Sequence, residues 1–399
     1  MPRTILAVLA LTTAACTNDQ SIGAVREHVV ADASKLDLLF VIDRSTSMVP
    51  KQAQLGQNLP RLMHELESLP GGLPSVHIGI VSTDMPVGAG AVEGCGAPGY
   101  DGALQNAPGI DGCTPPDGAF VSDEIGAGGQ RIHNYSGTLE DAVGCIARLG
   151  GDGCGFEQPL AAMRAALDGT VAKNAGFLRP DAFLAVVFLT DEDDCSADDP
   201  GVLFGANPTD PNHLGPLASF RCTRWGLVCD QGAPDHAGNY TSCRSQTTGT
   251  SESDVADFVD FIGSIKDPQS VFVATVAGDP SRVTVARDDR GELFLSPSCD
   301  GPGGDADPPV RLTQFGRAFA AHQETLVCND DFPDFLQLLG GQVRKLIVAY
   351  ESDKKSDLGL SFGCTVAPGG AGGAFALRIA LLIALVALRF RARKAVASR

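Results

Sequence analysis

The chain has 399 residues, 44% of them hydrophobic, with 47 Gly, 25 Pro and 12 Cys. That length accommodates one large domain or two ordinary ones, and the apolar fraction excludes disorder throughout. The formal net charge of −18, from 30 basic and 48 acidic residues, argues against a nucleic-acid partner and against docking on anionic lipid.

Residues 1–16 read as an export signal. Arg3 supplies the positive start, residues 5–11 a short apolar run, and Thr13-Ala14-Ala15 small residues ahead of Cys16. The arrangement resembles a bacterial lipobox, in which the cysteine is lipidated and becomes the mature N-terminus, although Thr13 stands where that motif usually has Leu. A linker, 17–35, follows.

Residues 36–42 (LDLLFVI) are a continuous apolar run, as for a strand buried on both faces, and Asp43-Arg44-Ser45-Thr46-Ser47 comes directly after it. Residues 48–69 place Leu55, Leu59, Leu62, Met63 and Leu66 at helical spacing. Then come a strand at 76–81 (VHIGIV), a helix at 157–167, and the clearest central strand at 183–189 (FLAVVFL), which ends in Thr190-Asp191. A helix at 254–265, a strand at 271–277 (VFVATVA) and a closing helix at 334–348 complete the series. Alternating strands and helices predict an α/β fold, a doubly wound, mostly parallel sheet with helices on both faces.

Two irregular stretches, near 86–129 and 196–250, interrupt the pattern. Both are rich in Gly, Pro and Asp and both carry Cys; loops that long are uncommon unless functional or stapled. The expectation is one domain, 36–350, with two disulfide-pinned insertions. Beyond a linker at 351–373 that contains Cys364, residues 374–399 read as a hydrophobic helix and a basic tail. The apolar stretch there is at the short end for a spanning helix, and Arg389, Arg391, Arg393 and Lys394 fit a cytoplasmic end. Cys364, the weak helix and the basic tail together resemble the C-terminal sorting signals of myxobacterial surface proteins; a plain tail anchor is the alternative.

Setting aside Cys16 and Cys364 leaves ten cysteines, an even number that fits disulfides in an oxidising compartment, and no CxxC points to zinc. Local pairing is expected: Cys95 with Cys113, Cys145 with Cys154, Cys299 with Cys328, and Cys195, Cys222, Cys229 and Cys243 among themselves.

The chemistry lies at strand ends, where open α/β sheets bind ligands. Asp43, Ser45 and Ser47 follow the first strand and Asp191 follows the central one. Hydroxyls with few carboxylates suit a small hard cation such as Mg²⁺, which keeps waters and leaves a position open for a partner's carboxylate. DxSxS directly after an apolar strand, with a second apolar strand ending in Thr-Asp, resembles the von Willebrand factor A domain and its metal-ion-dependent adhesion site, over roughly 36–346. FLTDEDDCS (188–196), GCGFEQPL (153–160) and CNDDF (328–332) are similar to secreted myxobacterial A-domain lipoproteins. The resemblance implies that Ser45 and Ser47 bind metal directly and that Asp43 and Asp191 act mostly through water. The family's further ligand, a Thr on the loop before the next helix, has no counterpart in GGDGCGFE (150–157). Asp152 or Glu157 is the candidate substitute, and an added carboxylate shifts preference toward Ca²⁺ or Mn²⁺. Glu157 is equally readable as a helix N-terminal charge, and Ser45 and Ser47 as helix caps.

The other acids, Asp191–Asp194 with Asp198 and Asp199, and Asp300, Asp305 and Asp307, read as solvated loops. HExxH, Walker A and GxGxxG motifs are absent, no GxSxG follows a predicted strand, and the seven His have no ligand spacing; His77 reads as packed in its strand. A non-enzymatic module on the bacterial cell envelope is expected. It would be exported, held to the outer membrane or cell surface by lipid, by the C-terminal helix or by both, and would use a divalent cation to engage an unknown protein or surface ligand. A disulfide-held structural envelope protein with a degenerate metal site, and an enzyme using the metal as Lewis acid, are the competing readings.

Overall fold

Residues 36–42, the first long apolar run, lie in the middle strand of a seven-stranded sheet. The computed structural model describes residues 29–88, 95, 100–107, 110–205, 220–248, 250–329 and 332–357. The expected signal with Cys16, and Cys364 with the hydrophobic segment and basic tail, lie outside the described residues. The strands are β1 (Asp32–Ile42), β2 (Ser75–Ser82), β3 (Val121–Ile125), β4 (Arg131–His133), β5 (Ala182–Leu189), β6 (Val271–Ala277) and β7 (His322–Leu326). Their order is β7-β6-β5-β1-β2-β3-β4. The first five in that order run parallel, and β3 and β4 add antiparallel at one edge.

The helices that matter for the site are α1 (Val49–Glu67), α2 (Leu139–Ile146), α3 (Pro159–Leu167), α4 (Val255–Ile265), α5 (Val310–Arg317) and α6 (Phe332–Asp357). Because side chains alternate along a strand, β1 feeds two cores. Leu36, Leu38, Phe40 and Ile42 pack with α1, α2 and α6, whereas Leu39 and Val41 pack with α3, α4 and α5. Burying such side chains contributes about 1.5–3 kcal/mol each, and this is why β1 tolerates no polar residue between Leu38 and Ile42. The expected α/β, mostly parallel, helix-flanked sheet is the observed one. The described residues up to Ser352 form one compact unit. Among the described residues no helix is long and apolar enough to cross a membrane.

Several elements were not expected. The stretch 86–129 ends in β3 rather than in loop, and β4, β7, α2 and α5 carry no strong sequence signal. The stretch 196–250 contains short helices at Pro200–Leu203 and Phe220–Gly226, and its strand Gly238–Tyr240 joins a hairpin, Val283–Arg287 and Leu293–Ser296, in a second small sheet. Phe220, Leu227, Tyr240, Val283, Val285 and Leu295 give that sheet its own core.

The disulfides correct the local pairing at two places. Cys95 bonds Cys154 and Cys113 bonds Cys145. The first insertion lies across α2 and the loop after it, so its cysteines meet Cys145 in that helix and Cys154 in that loop and not each other. Cys299–Cys328 is as expected, and the remaining four pair as Cys195–Cys222 and Cys229–Cys243.

Candidate functional site

The parallel register sets Ile42 opposite Ser82 on one side and Leu189 on the other. The next residue of each strand, Asp43, Thr83 and Thr190, therefore emerges at one level at the carboxyl edge of the sheet. Asp43 is fully buried. Its Oδ1 accepts the Ser45 backbone N–H at 2.7 Å and its Oδ2 accepts the Thr190 hydroxyl at 2.8 Å. Ser45 is extended (φ −62°, ψ 159°) and occupies the N-cap position of the single turn Thr46–Met48, yet its side chain makes no capping bond. Its Oγ lies 2.9 Å from the Ser47 Oγ. The serines are thus a pair of neighbouring hydroxyls and not helix caps.

A second loop is fastened to this one. The Gln52 side chain donates to the carbonyls of Asp43 and Gly150, both at 3.0 Å, and accepts the Gly150 N–H at 3.1 Å. The Thr46 hydroxyl donates to Gly151 O at 2.7 Å, and Gly153 N–H to Arg44 O at 3.0 Å. Gly153 must be glycine for this approach, since a Cβ there would sit 2.7 Å from the Arg44 carbonyl. Arg44 pairs with Asp84 at 2.8 Å and lies over the Tyr100 ring, while the other Asp84 oxygen accepts the Cys154 N–H at 2.8 Å.

Further along that loop, Glu157 is completely buried. Its Oε2 accepts the Thr83 hydroxyl, and its Oε1 has no hydrogen-bond partner. Glu157 precedes the N-cap of α3, Gln158, and does not serve the helix N-terminus. Asp194 Oδ1 and the Ser196 hydroxyl do, accepting the N–H groups of Leu160 and Ala161 at 3.0 and 2.8 Å.

The carboxyls repel one another. Burial, followed by the Asp43 charge, pushes Asp191 up to about 7, although the Ser47 hydroxyl bonds to it. Burial also raises Asp43. Glu157 lies well above the usual carboxylate range through burial, then through Asp43, Glu192 and Asp84. Glu192 is raised likewise by burial, then by Asp307, Asp43 and Asp191, and Asp307 is pushed up to about 7 by burial and Asp191. Like charges gathered in a sheltered site must share protons or take up a cation.

All five sequence-derived candidates, Asp43, Ser45, Ser47, Asp191 and Glu157, therefore collect at one sheet edge. Asp152 is exposed. Thr83, Asp84, Glu192 and Asp307 were missed as members of the site. Thr83-Asp84 repeats at the end of β2 the Thr-Asp signal that marked β5. The solvated reading of the acidic run is corrected: Asp193 accepts the N–H groups of Arg311 and Leu312, and Asp194 pairs with the buried Arg311 guanidinium at 2.9 Å. Asp307, also read as solvated, bonds through its N–H to Asp191 O at 2.8 Å. Asp300 and Asp305 are exposed. His77 is packed, contacting Phe177 O at 2.8 Å and Glu124 at 2.6 Å.

No family model and no curated protein matches the chain. Among solved structures it is similar to a von Willebrand factor type A protein from Catenulispora acidiphila, at 10% identity and a TM-score of 0.30, with 77% of this chain and 42% of that one covered. The open conformation of the pilus adhesin SpaC from Lactobacillus rhamnosus GG gives 13% identity and 0.35, covering 81% and 31%. The minor pilin PilB from Streptococcus sanguinis gives 11% and 0.29, covering 82% and 63%. The chain thus spans less than two thirds of the length of each, and these values are too low to bear on function. The site's own geometry has to do so.

That geometry offers two hydroxyls and one carboxylate, Ser45, Ser47 and Asp191, as donors for a hard cation, with Asp43 behind them. Among the described residues, three acidic or thiol ligand atoms come within 4.8 Å of one another only at Cys195, Cys222 and Glu252, where the cysteines are bonded to each other. The carboxyl edge is therefore not an all-carboxylate cage. It fits an ion that accepts neutral oxygen and keeps water, and the partnerless Glu157 oxygen is consistent with a nearby positive charge.

Proposed function

We propose that this chain is a non-enzymatic binding module of the bacterial cell envelope, and that a divalent cation, Mg²⁺ first with Mn²⁺ or Ca²⁺ as alternatives, sits at Ser45, Ser47 and Asp191. Asp43 orients the serine loop, and a protein or surface ligand completes the coordination. The observation that carries this reading is the pair of serine hydroxyls, 2.9 Å apart and unused by any cap, beside the Asp43–Asp191 carboxyls. Disulfides on both insertions support an exported, surface-facing location. Lipidation at Cys16 and a C-terminal anchor belong to the same proposal.

The test is calorimetric titration of Mg²⁺, Mn²⁺ and Ca²⁺ into the oxidised full chain. The double variant Ser45→Ala/Ser47→Ala keeps the Ser45 N–H bond to Asp43 and serves as a folded control. Binding in the parent and its loss in the variant are expected; equal heats in both would reject the site. One observation favours a purely structural role instead. Asp43 is already satisfied by Ser45 N–H and the Thr190 hydroxyl, so the loop holds without an ion. Absence of binding in a folded parent would decide for that reading.

A further inference from the structure

We propose that the cleft between the small second sheet and α5 is a binding site for a neutral saccharide, separate from the candidate cation site and independent of it. α5 has two faces. Leu312 and Phe315 are buried in the second core. Val310, Thr313, Gln314, Arg317 and Ala318 recur at three- and four-residue spacing and so form one stripe of the helix. With residues 240–243 of the second insertion and Val283 of the hairpin, that stripe lines a cavity of about 580 Å³. Small-molecule sites occupy about 300–1,000 Å³. Pro280 and Thr313 also line a second cavity of about 90 Å³, walled on its far side by Thr275 of β6. The Thr275 hydroxyl is buried and has no hydrogen-bond partner among the described residues. A buried hydroxyl left alone is costly and rare, and this one borders open space.

The lining sets the chemistry of the ligand. Among the described residues the Ser242 and Thr313 hydroxyls make no hydrogen bond, and Gln314 uses only its Oε1, on the Ser245 N–H at 2.9 Å. Thr241 Oγ1 accepts the Gln231 amide at 2.9 Å and keeps its own proton to donate. Ser242 is held at φ 53°, a left-handed conformation that non-glycine residues keep chiefly at functional or tightly determined positions. The two charges at the cleft, Arg317 and Glu324, are bonded to each other at 2.7 and 2.8 Å, so neither an anion nor a cation meets an unpaired counter-charge. Val283, Val310 and the Tyr240 ring add apolar surface. Neutral hydroxyls and an amide beside apolar patches match a sugar, which presents hydroxyls around its rim and C–H groups on its faces. An extended peptide is served less well. The Thr241 N–H and carbonyl are already taken by Gln231 Oε1 and the Asp230 N–H, both at 3.0 Å, so this wall offers no free strand edge for ladder pairing.

The experiment titrates neutral oligosaccharides of glucose, mannose, galactose and N-acetylglucosamine into the oxidised full chain in EDTA, read by calorimetry. An oligogalacturonate and a serine–glycine peptide represent the competing ligand classes. At least one neutral oligosaccharide should bind, with an affinity that Mg²⁺ leaves unchanged. Thr313→Val and Thr275→Val, which keep the side-chain shape, should each weaken it about three- to tenfold. The urea midpoint of Thr275→Val should stay level or rise, because a partnerless buried hydroxyl has been removed; a purely structural hydroxyl would lower it. Ala318→Trp, at an exposed position on the rim, should abolish binding. Absence of binding by every neutral oligosaccharide would overturn the proposal. So would tighter binding of the oligogalacturonate or the peptide, or full affinity retained in Ala318→Trp.

Discussion

In EDTA, the oxidised chain is expected to lose stability as pH rises from about 4 to about 7, and Mg²⁺ to restore it. Asp191 is pushed up to about 7 in the fold against 3.8 for the free side chain. A raised carboxyl holds its proton more tightly folded than unfolded. Its stabilising contribution is complete below 3.8 and is lost as pH rises toward about 7. At about 1.4 kcal/mol per tenfold difference in proton affinity the gap amounts to about 4 kcal/mol, and solvent access to the half-buried side chain reduces it to about 2 kcal/mol. Asp193 and Asp307, pushed to about 7 as well, carry the same sign.

The assay is urea unfolding at pH 5 and pH 8, with EDTA or with Mg²⁺. An ion at a hundredfold excess over its Kd adds about 2.7 kcal/mol, and should add less at pH 5, where protons compete for Asp191. Asp191→Asn should make the profile in EDTA shallower by the share of Asp191, about 2 kcal/mol, and abolish the Mg²⁺ gain. Stability in EDTA that is equal or greater at pH 8, or an Mg²⁺ gain independent of pH, would refute the reasoning.

Gly153→Ala should push the Arg44 carbonyl away, since the new Cβ falls 2.7 Å from it; Mg²⁺ affinity by calorimetry should drop by about tenfold or more while the cores, with their own packing, hold. Arg311→Met leaves Asp194 and Glu252 buried without their cation, and urea unfolding should show a loss of about 3–5 kcal/mol. By contrast Arg317→Ala, in an exposed pair with Glu324, should cost less than about 1 kcal/mol. Non-reducing peptide mapping should recover Cys95–Cys154 and Cys113–Cys145; a Cys95–Cys113 fragment would reject the path of the first insertion.

What was legible in the sequence was whatever is buried on both faces. Residues 36–42, 76–81, 183–189 and 271–277 are all core strands, because a strand covered by helices on two sides needs a largely apolar run, with buried polar residues such as Asp37 and His77 held by partners. The edges had no such need. β3, beside the edge strand β4, reads VSDEI and β7, at the opposite edge, reads HQETL, with alternating or outward charge, and such composition serves the margin of a sheet and a loop equally well. Their pairing with β2 and β6 decides their conformation, and that pairing is a tertiary fact. The same holds for Cys113, which is nearer in sequence to Cys95 than to its partner Cys145 yet is carried over α2 by the insertion's path.

The site was legible to the extent that chain order alone brings polar residues to strand ends. Asp43, Ser45, Ser47 and Asp191 follow from two strands and a parallel register; Glu157 needed the loop count before α3. The acidic run at 191–194 shows where that reasoning stops. Asp191 and Glu192 face the carboxyl edge, whereas Asp193 and Asp194 turn to Arg311, which also reaches Ser245 and the Ser253 carbonyl at 2.9 and 2.7 Å. One tetrapeptide thus joins the candidate cation site to the second insertion. Its four acids are adjacent and chemically alike, so composition cannot separate the two that gather at the sheet edge from Asp193, which accepts backbone N–H groups of α5, and Asp194, which neutralises a guanidinium 117 positions away. That division is settled by partners: the enclosed Arg311 guanidinium must be met by carboxylates and takes Asp194 and Glu252, while Asp193 is held by the N–H groups that open α5, so neither Asp193 nor Asp194 is available to the site.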